Sequence, residues 1–214
     1  MINDLISDYI REITARKSPE KGNEFDDSVV LEFLAKRVIK NGGKHISYET
    51  WLTTEYESMR SKAYKNIFKF DETDELLVIE EPNGSQRWPD VLLVYKGIGL
   101  PIESKTSKDS NILWNSSLPK PGCLYIYNNY KLQKSTCFFG QSVIDEEQTK
   151  LLLEYSHMIK SYTKDITVNQ GCFGIYPRLQ YTDRTNYILN DYTNQAILIC
   201  ASLQWNDTQQ TDFN

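Results

Sequence analysis

Apolar residues return every third or fourth position near the start of the chain. Ile2, Leu5, Ile6, Tyr9, Ile10 and Ile13 fall on one side of a helical projection, so the spacing predicts an amphipathic helix. A polar break over 16–23 follows. Positions 25, 29, 30, 33, 34 and 38 restore the same period over 25–39, and Asn41-Gly42-Gly43 supplies a left-handed stop. A third helix is predicted from Ser47, with Tyr48, Trp51, Leu52, Tyr56 and Met59 on its apolar side.

The pattern then shifts to short runs of β type over 75–80, 91–95, 100–105, 123–127 and 136–139, with Asn83-Gly84 and Lys96-Gly97 as turns between the first three. Helical spacing returns over 145–159, where Leu151, Leu152, Tyr155 and Ile159 share a face and three acids suit the positive end of the helix dipole. Two later runs, 172–176 and 196–203, read as strands, and the chain from Asn206 onward is polar. This order predicts an α/β fold in which a central mixed β-sheet is flanked by helices. A single domain over 1–214 is expected, helical over 1–65, with the sheet over 70–140 and a helix and closing strands over 141–214.

A chain of 214 residues that is 40 % hydrophobic can bury one substantial core. The formal charge of -5 argues against a protein that coats nucleic acid without selectivity, since that binding rests on neutralising many phosphates. The distribution is uneven, however. Seven acids face only Arg87 over 71–90, whereas six lysines face only Glu103 and Asp109 over 96–140. Acids beside a basic stretch suit a divalent cation next to an anionic polymer.

Cys123, Cys137, Cys172 and Cys200 have no zinc-motif spacing and are too few for a disulfide scaffold, so reduced thiols are expected. The N-terminus lacks the features of a secretory signal and no apolar run approaches membrane-spanning length, so the expected compartment is the cytoplasm. His45 and His157 lie near no candidate nucleophile or cysteine pair, which disfavours a catalytic triad or a histidine–metal site. No phosphate-binding Gly-x-x-x-x-Gly-Lys-Ser/Thr run occurs, so no nucleotide cofactor is expected.

The chemistry concentrates between Trp88 and Lys105. A carboxylate, Asp90, opens one strand; a Lys-Gly turn follows; the next strand delivers Glu103 and Lys105, whose i, i+2 spacing puts them on one face. A hairpin about Lys96-Gly97 would bring Asp90 opposite Glu103. Two oxygen donors can hold a hard divalent ion, and an adjacent ammonium can orient water and offset charge on a phosphate.

Pro89-Asp90, twelve residues, then Glu103-Ser104-Lys105 resembles the PD-(D/E)xK nuclease motif. The resemblance, which covers about half the chain from the Gly22 region to Gly140, implies a restriction-endonuclease-like core. It also implies Mg2+ as cofactor, with Asp90 and Glu103 as metal ligands, the Ser104 carbonyl as a further one and Lys105 as the catalytic lysine. The acids at Gly22-Asn23-Glu24-Phe25-Asp26-Asp27 resemble those that such nucleases project from an early helix; Asp26 is preferred, with Glu24 and Asp27 as alternatives. Gln86 and Arg87 before the motif, and Lys108, Asn111, Asn115, Ser116, Ser117 and Lys120 after it, are the expected DNA contacts. The implied activity is that of a type II restriction endonuclease acting on double-stranded DNA as a homodimer, with the 2–13 or the 145–159 helix at the interface. A structure-selective or nicking nuclease of the same fold, and an inactive DNA-binding module, remain as alternatives.

Overall fold

The computed structural model describes residues 2–205 except 72–74, 86, 110, 116, 165–166, 169–172, 175–179, 183–185 and 189–190. Helix α1 (Ile2–Ala15) buries all six apolar residues that its periodicity singles out. The Tyr9 hydroxyl, inside that face, donates to the Val30 carbonyl at 2.8 Å and so ties α1 to the next helical stretch.

That stretch is not uniform. It runs as α2 (Asn23–Phe25), a π-helical segment Asp26–Leu31 and α3 (Glu32–Lys40). A π turn widens the helix by one residue, and such turns are found frequently at functional sites.

The expected third helix is divided into α4 (Tyr48–Trp51), a 3-10 turn Thr54–Tyr56 and α5 (Glu57–Ala63). The physical reason lies in two rings. Five residues of continuous helix would rotate Tyr56 about 140° away from Trp51. The break brings both rings back into one buried cluster, 5.6 Å apart, and leaves Leu52 in solvent. The Trp51 indole N–H donates to the Pro82 carbonyl at 2.8 Å, fixing the cluster against the loop that precedes the site.

Six strands form the main sheet in the order β1 (Lys44–Ile46), β2 (Leu76–Glu80), β3 (Val91–Tyr95), β4 (Ile98–Ser107), β6 (Leu124–Asn129) and β7 (Lys134–Phe139), with β5 (Leu113–Asn115) lying outside it. The β1/β2 and β4/β6 pairs are parallel and the other three antiparallel, so the sheet is mixed. The β3–β4 hairpin turns on Lys96-Gly97, both at positive φ as a tight hairpin turn requires. A Cβ on Gly97 would lie 2.9 Å from the Phe70 carbonyl oxygen, so the turn also needs the missing side chain.

One face of the sheet, carrying Val78, Leu93, Ile102, Ile126 and Phe139, packs against α1, the π segment, α3 and the C-terminal α7 (Tyr192–Ser202). On the other face, Leu77, Ile79, Leu92 and Val94 lie under Trp51, Tyr56, Phe68 and Phe70, while Tyr125, Tyr127 and Phe138 pack with Ile112, Trp114 and Tyr187. The partly buried Trp88 touches both clusters of that second face.

The run 196–203, expected as a strand, lies in helix α7 up to Ser202, with Leu203 as its C-terminal cap residue. Its buried residues are Ala196 and Cys200, one helical turn apart, and α1 and β7 supply the surface they cover. A continuous apolar run satisfies either period, and here the neighbouring surface selects the helix. Helix α6 (Glu146–Lys164) forms as expected, but its predicted inner face points outward, with Leu151, Tyr155 and Ile159 exposed. Two small ribbons complete the described elements: β8 (Thr167–Val168) with β9 (Phe173–Gly174), and β5 with β10 (Gln180–Thr182). Of the strand expected over 172–176, β9 is the described part; the tail from Asn206 lies outside the described residues. Among the described residues, no helix is long and apolar enough to cross a membrane.

Candidate active site

The site follows from a difference in strand length. β4 has ten residues and β3 only five, and their pairing ends at Val91↔Ile102. Beyond that pair β4 continues alongside β6 alone, from Glu103↔Tyr125 to Ser107↔Asn129. The other edge of β4 is therefore open from Glu103 onward, and Asp90, just before β3, fills its first gap.

Asp90 is held there through both backbone and side chain. Its carboxylate Oδ2 accepts the Ser104 backbone N–H at 2.7 Å, and its own N–H donates to Glu103 Oε2 at 3.2 Å. The Asp90 carbonyl accepts from Glu81 N–H at 2.9 Å, and the Asn83 amide donates to the Trp88 carbonyl at 2.7 Å, closing the loop between β2 and β3. An extended residue directs its N–H and C=O to the same edge, so the Ser104 carbonyl shares the edge that Asp90 caps.

Alternation along β4 then sorts the side chains. Glu103 and Lys105 lie on the face of Tyr125 and form an ion pair, Lys105 Nζ donating to Glu103 Oε1. Ser104 and Thr106 lie on the helical face. There the Ser104 hydroxyl donates to the Asp26 carboxylate, and Thr106 Oγ1 accepts the Gly22 N–H at 3.0 Å. The start of the second helical stretch is thus docked on the open edge of β4, and the first residue of the π segment is the one that reaches Ser104. Of the three acids proposed from the sequence, Asp26 is half-buried at this edge while Glu24 and Asp27 are exposed.

Burial and mutual repulsion shape the electrostatics. Burial, reinforced by the Asp90 charge and opposed by Lys105, lifts Glu103 to about 7. Burial also lifts Asp26 to about 6, with Asp90 again adding to the shift and the Ser104 hydrogen bond opposing it. For Lys105, burial acts to lower the pKa, but the charges of Glu103 and Asp90 outweigh it and the net shift is upward. Glu103 and Asp26 thus both feel the Asp90 charge, and the half-buried Lys105 ammonium opposes the shift of each.

Among the described residues, no group of three or more His, Cys, Asp or Glu is arranged as a metal cage. Magnesium does not need one: it is commonly held by one or two carboxylates, keeps several waters and takes further oxygens from a phosphate. The residues present fit that requirement. Asp90 Oδ1 accepts no hydrogen bond from any described residue, the Ser104 carbonyl shares its edge, and Glu103 is one residue away with oxygens now held by Lys105 and the Asp90 amide.

The second lysine of the region has a more particular place than a surface contact. Lys120 Nζ sits 3.9 Å from the centre of the Trp88 ring. Its backbone N–H donates to the Tyr125 hydroxyl at 2.9 Å, and Tyr125 is the register partner of Glu103 on β6. Burial lowers the pKa of Lys120 despite the opposing charge of Glu103. Gly140 lets the end of β7 close against this segment, since a Cβ there would lie 2.0 Å from the Lys120 carbonyl oxygen. Trp88 opens the segment that the sequence singles out but is given no role there, and Tyr125 is not singled out; the two-residue period through 123–127 groups Tyr125 with Cys123 and Tyr127, and the pairing with β4 puts it on the Glu103 face.

The remaining expected DNA contacts are dispersed. Arg87, Lys108, Asn111 and Ser117 are exposed, whereas Gln86, Ser116 and the side chain of Asn115 lie outside the described residues. The stretch that carries these residues is not all loop: β4 runs on to Ser107, and β5 sets the buried Trp114 edge-on to Tyr125 at 5.1 Å. Cys123, Cys137 and Cys200 are free and buried, and burial raises all three thiols, Cys200 to about 12.

Compared with protein-family models, curated proteins and solved structures, the chain shows no match.

Proposed function

We propose that the chain is a magnesium-dependent DNA endonuclease of the PD-(D/E)xK superfamily, with a restriction-endonuclease-like core and the activity of a type II restriction enzyme. One observation carries the reading: Asp90, Glu103 and Lys105 meet at the open edge of β4, with the Ser104 amide locking Asp90 in place. Asp90, Glu103 and the Ser104 carbonyl would hold Mg2+, with Asp26 beside them. When bound, the ion supplies positive charge at the phosphate and makes water more acidic.

The protein groups have distinct tasks. Glu103 holds Lys105 by the ion pair, so the ammonium is fixed where it can orient an attacking water and offset charge as the phosphorus–oxygen bond to the leaving group breaks. The Ser104 hydroxyl positions Asp26, and the Ser104 amide holds the Asp90 carboxylate in place by hydrogen bonding it. Lys120, stacked over Trp88 on the Glu103 face, adds a second cation toward a duplex backbone. Cutting both strands of a symmetric site calls for two copies of this centre.

Digestion of a plasmid of known sequence by the purified chain tests the proposal. With magnesium, discrete fragments are expected, and with a chelator none. Nicks or branch-dependent cuts would place the activity in a different nuclease class; binding without cutting would leave a DNA-binding module.

A further inference from the structure

Two adjacent asparagines at the end of β6 gather three separate segments of the chain. Asn128 and Asn129 are both buried, and strand alternation turns their side chains to opposite faces of the sheet. On the helical face the Asn128 amide donates to the Ser18 carbonyl at 3.1 Å and to the Glu20 carbonyl at 2.8 Å, pinning the 16–22 segment between α1 and α2. On the other face the Asn129 amide donates to the Lys108 carbonyl at 3.4 Å and to the Asp109 carbonyl at 2.7 Å, pinning the chain just past β4. Their oxygens are used as well. Asn128 Oδ1 accepts from the Ser135 hydroxyl at 3.2 Å, and Asn129 Oδ1 accepts the Leu132 N–H at 2.9 Å, which closes the turn between β6 and β7. Buried amides are costly unless paired, and here the pairing fixes three loops to one strand end.

What this clamp gathers is basic. The segments 16–22, 107–109 and 129–134 carry Arg16, Lys17, Lys21, Lys108, Lys131 and Lys134 against Glu20 and Asp109. All five lysines are exposed, and Glu20 is already paired with Arg16. A chain of formal charge -5 thus presents a positive rim at one end of its sheet. The rim adjoins the candidate site. Ser107, the register partner of Asn129, lies four residues beyond Glu103 on β4, or about 13 Å at the usual strand rise. Gly22, next to Lys21, donates its N–H to Thr106 on the same strand at 3.0 Å.

We propose that this rim is a second DNA-contact surface, which grips the phosphate backbone of a duplex about four base pairs from the bond placed at Glu103. The separation follows from the strand: about 13 Å along β4 matches the axial rise of about four base pairs at 3.4 Å each. Lysine ammonium groups meet phosphates as point charges and carry no base preference, so the rim sets the position of the duplex and does not read its sequence. Lys17, Lys21, Lys131 and Lys134 lie far in the chain from the contacts expected around the motif, and only the paired asparagines bring them to the same strand end as Lys108.

The choice of a duplex as partner rests on the nuclease reading above, but the test reads binding alone. Fluorescence anisotropy of a labelled duplex of arbitrary sequence, titrated with the full chain in calcium at several salt concentrations, gives the slope of log affinity against log salt. Lys17→Ala/Lys21→Ala and Lys131→Ala/Lys134→Ala should each weaken binding and make that slope shallower by about 1.8, the share of two phosphate contacts. Lys131→Arg/Lys134→Arg should keep the wild-type slope, as should Lys65→Ala/Lys96→Ala, which removes two exposed lysines outside the rim. A wild type without affinity for the duplex, an unchanged slope in either rim alanine pair, or an equal change in the Lys65/Lys96 pair would overturn the proposal. The two readings fail separately: the predicted slopes without cleavage would leave the rim and remove the catalytic centre, and cleavage with unchanged slopes would do the reverse.

Discussion

The backbone amide of Ser104 donates to the carboxylate of Asp90 at 2.7 Å, replacing the strand partner that β4 loses where β3 ends. A structural gap in the sheet and the placing of an acid beside Glu103 are thus one feature. Asp90 is held by a main-chain donor that substitution of neighbouring side chains leaves in place.

Removing the acids or the lysine should separate chemistry from binding. Asp90→Ala, Glu103→Gln and Lys105→Ala should each slow cleavage by about 10²–10³ or more, the usual loss when a group acting on transition-state charge is deleted. Gel-shift affinity for duplex DNA in calcium should fall by less than tenfold. Equal losses in both assays would mean that these residues bind DNA and do not act on it.

The pH dependence follows from two raised carboxyl groups. Folded-state values of about 7 for Glu103 and about 6 for Asp26 lie above the ordinary values of 4.5 and 3.8, so the folded chain holds these protons more tightly than the unfolded one. Stability without metal should therefore fall as pH rises from about 4 to 7 and be flat beyond. Asp26→Asn keeps an acceptor for the Ser104 hydroxyl and removes the ionisation penalty. It should stabilise the protein by about 1 kcal/mol at pH 8 and much less at pH 4, read by chemical denaturation.

Lys120 and Lys108 should behave differently. The exposed Lys108, replaced by Ala, should weaken DNA binding and reduce its salt dependence by about one phosphate contact. Lys120→Ala removes the ammonium stacked over Trp88 and should slow single-turnover cleavage about tenfold or more with a smaller effect on affinity.

Gly140→Ala should destabilise the fold by about 1–3 kcal/mol, because the added methyl meets the Lys120 carbonyl oxygen at 2.0 Å. Thermal melting checks this directly, and an unchanged midpoint would mean that the 120–123 turn yields easily.

The hairpin that carries the site was readable in advance because its information is local. A Lys-Gly turn, runs of β-type residues on both sides and the two-residue period place Asp90 opposite Glu103 without reference to the rest of the chain. Asp26 was harder: its contact with Ser104 spans 78 positions and depends on a π-helical turn that no local spacing announces. The Trp88–Lys120 stack is likewise a product of packing between distant segments. For 196–203 the apolar run fitted both periods, and only the presence of α1 and β7 on one side decides it. In α6 the period was right, but periodicity does not say which face of a helix meets the rest of its chain.

The most direct measurement is cleavage of one linear duplex of known sequence by purified wild-type chain and by Asp90→Ala, each with magnesium and with chelator. The account predicts discrete products only from the wild type with magnesium. Equal cutting by Asp90→Ala, or cutting that persists in chelator, would contradict it.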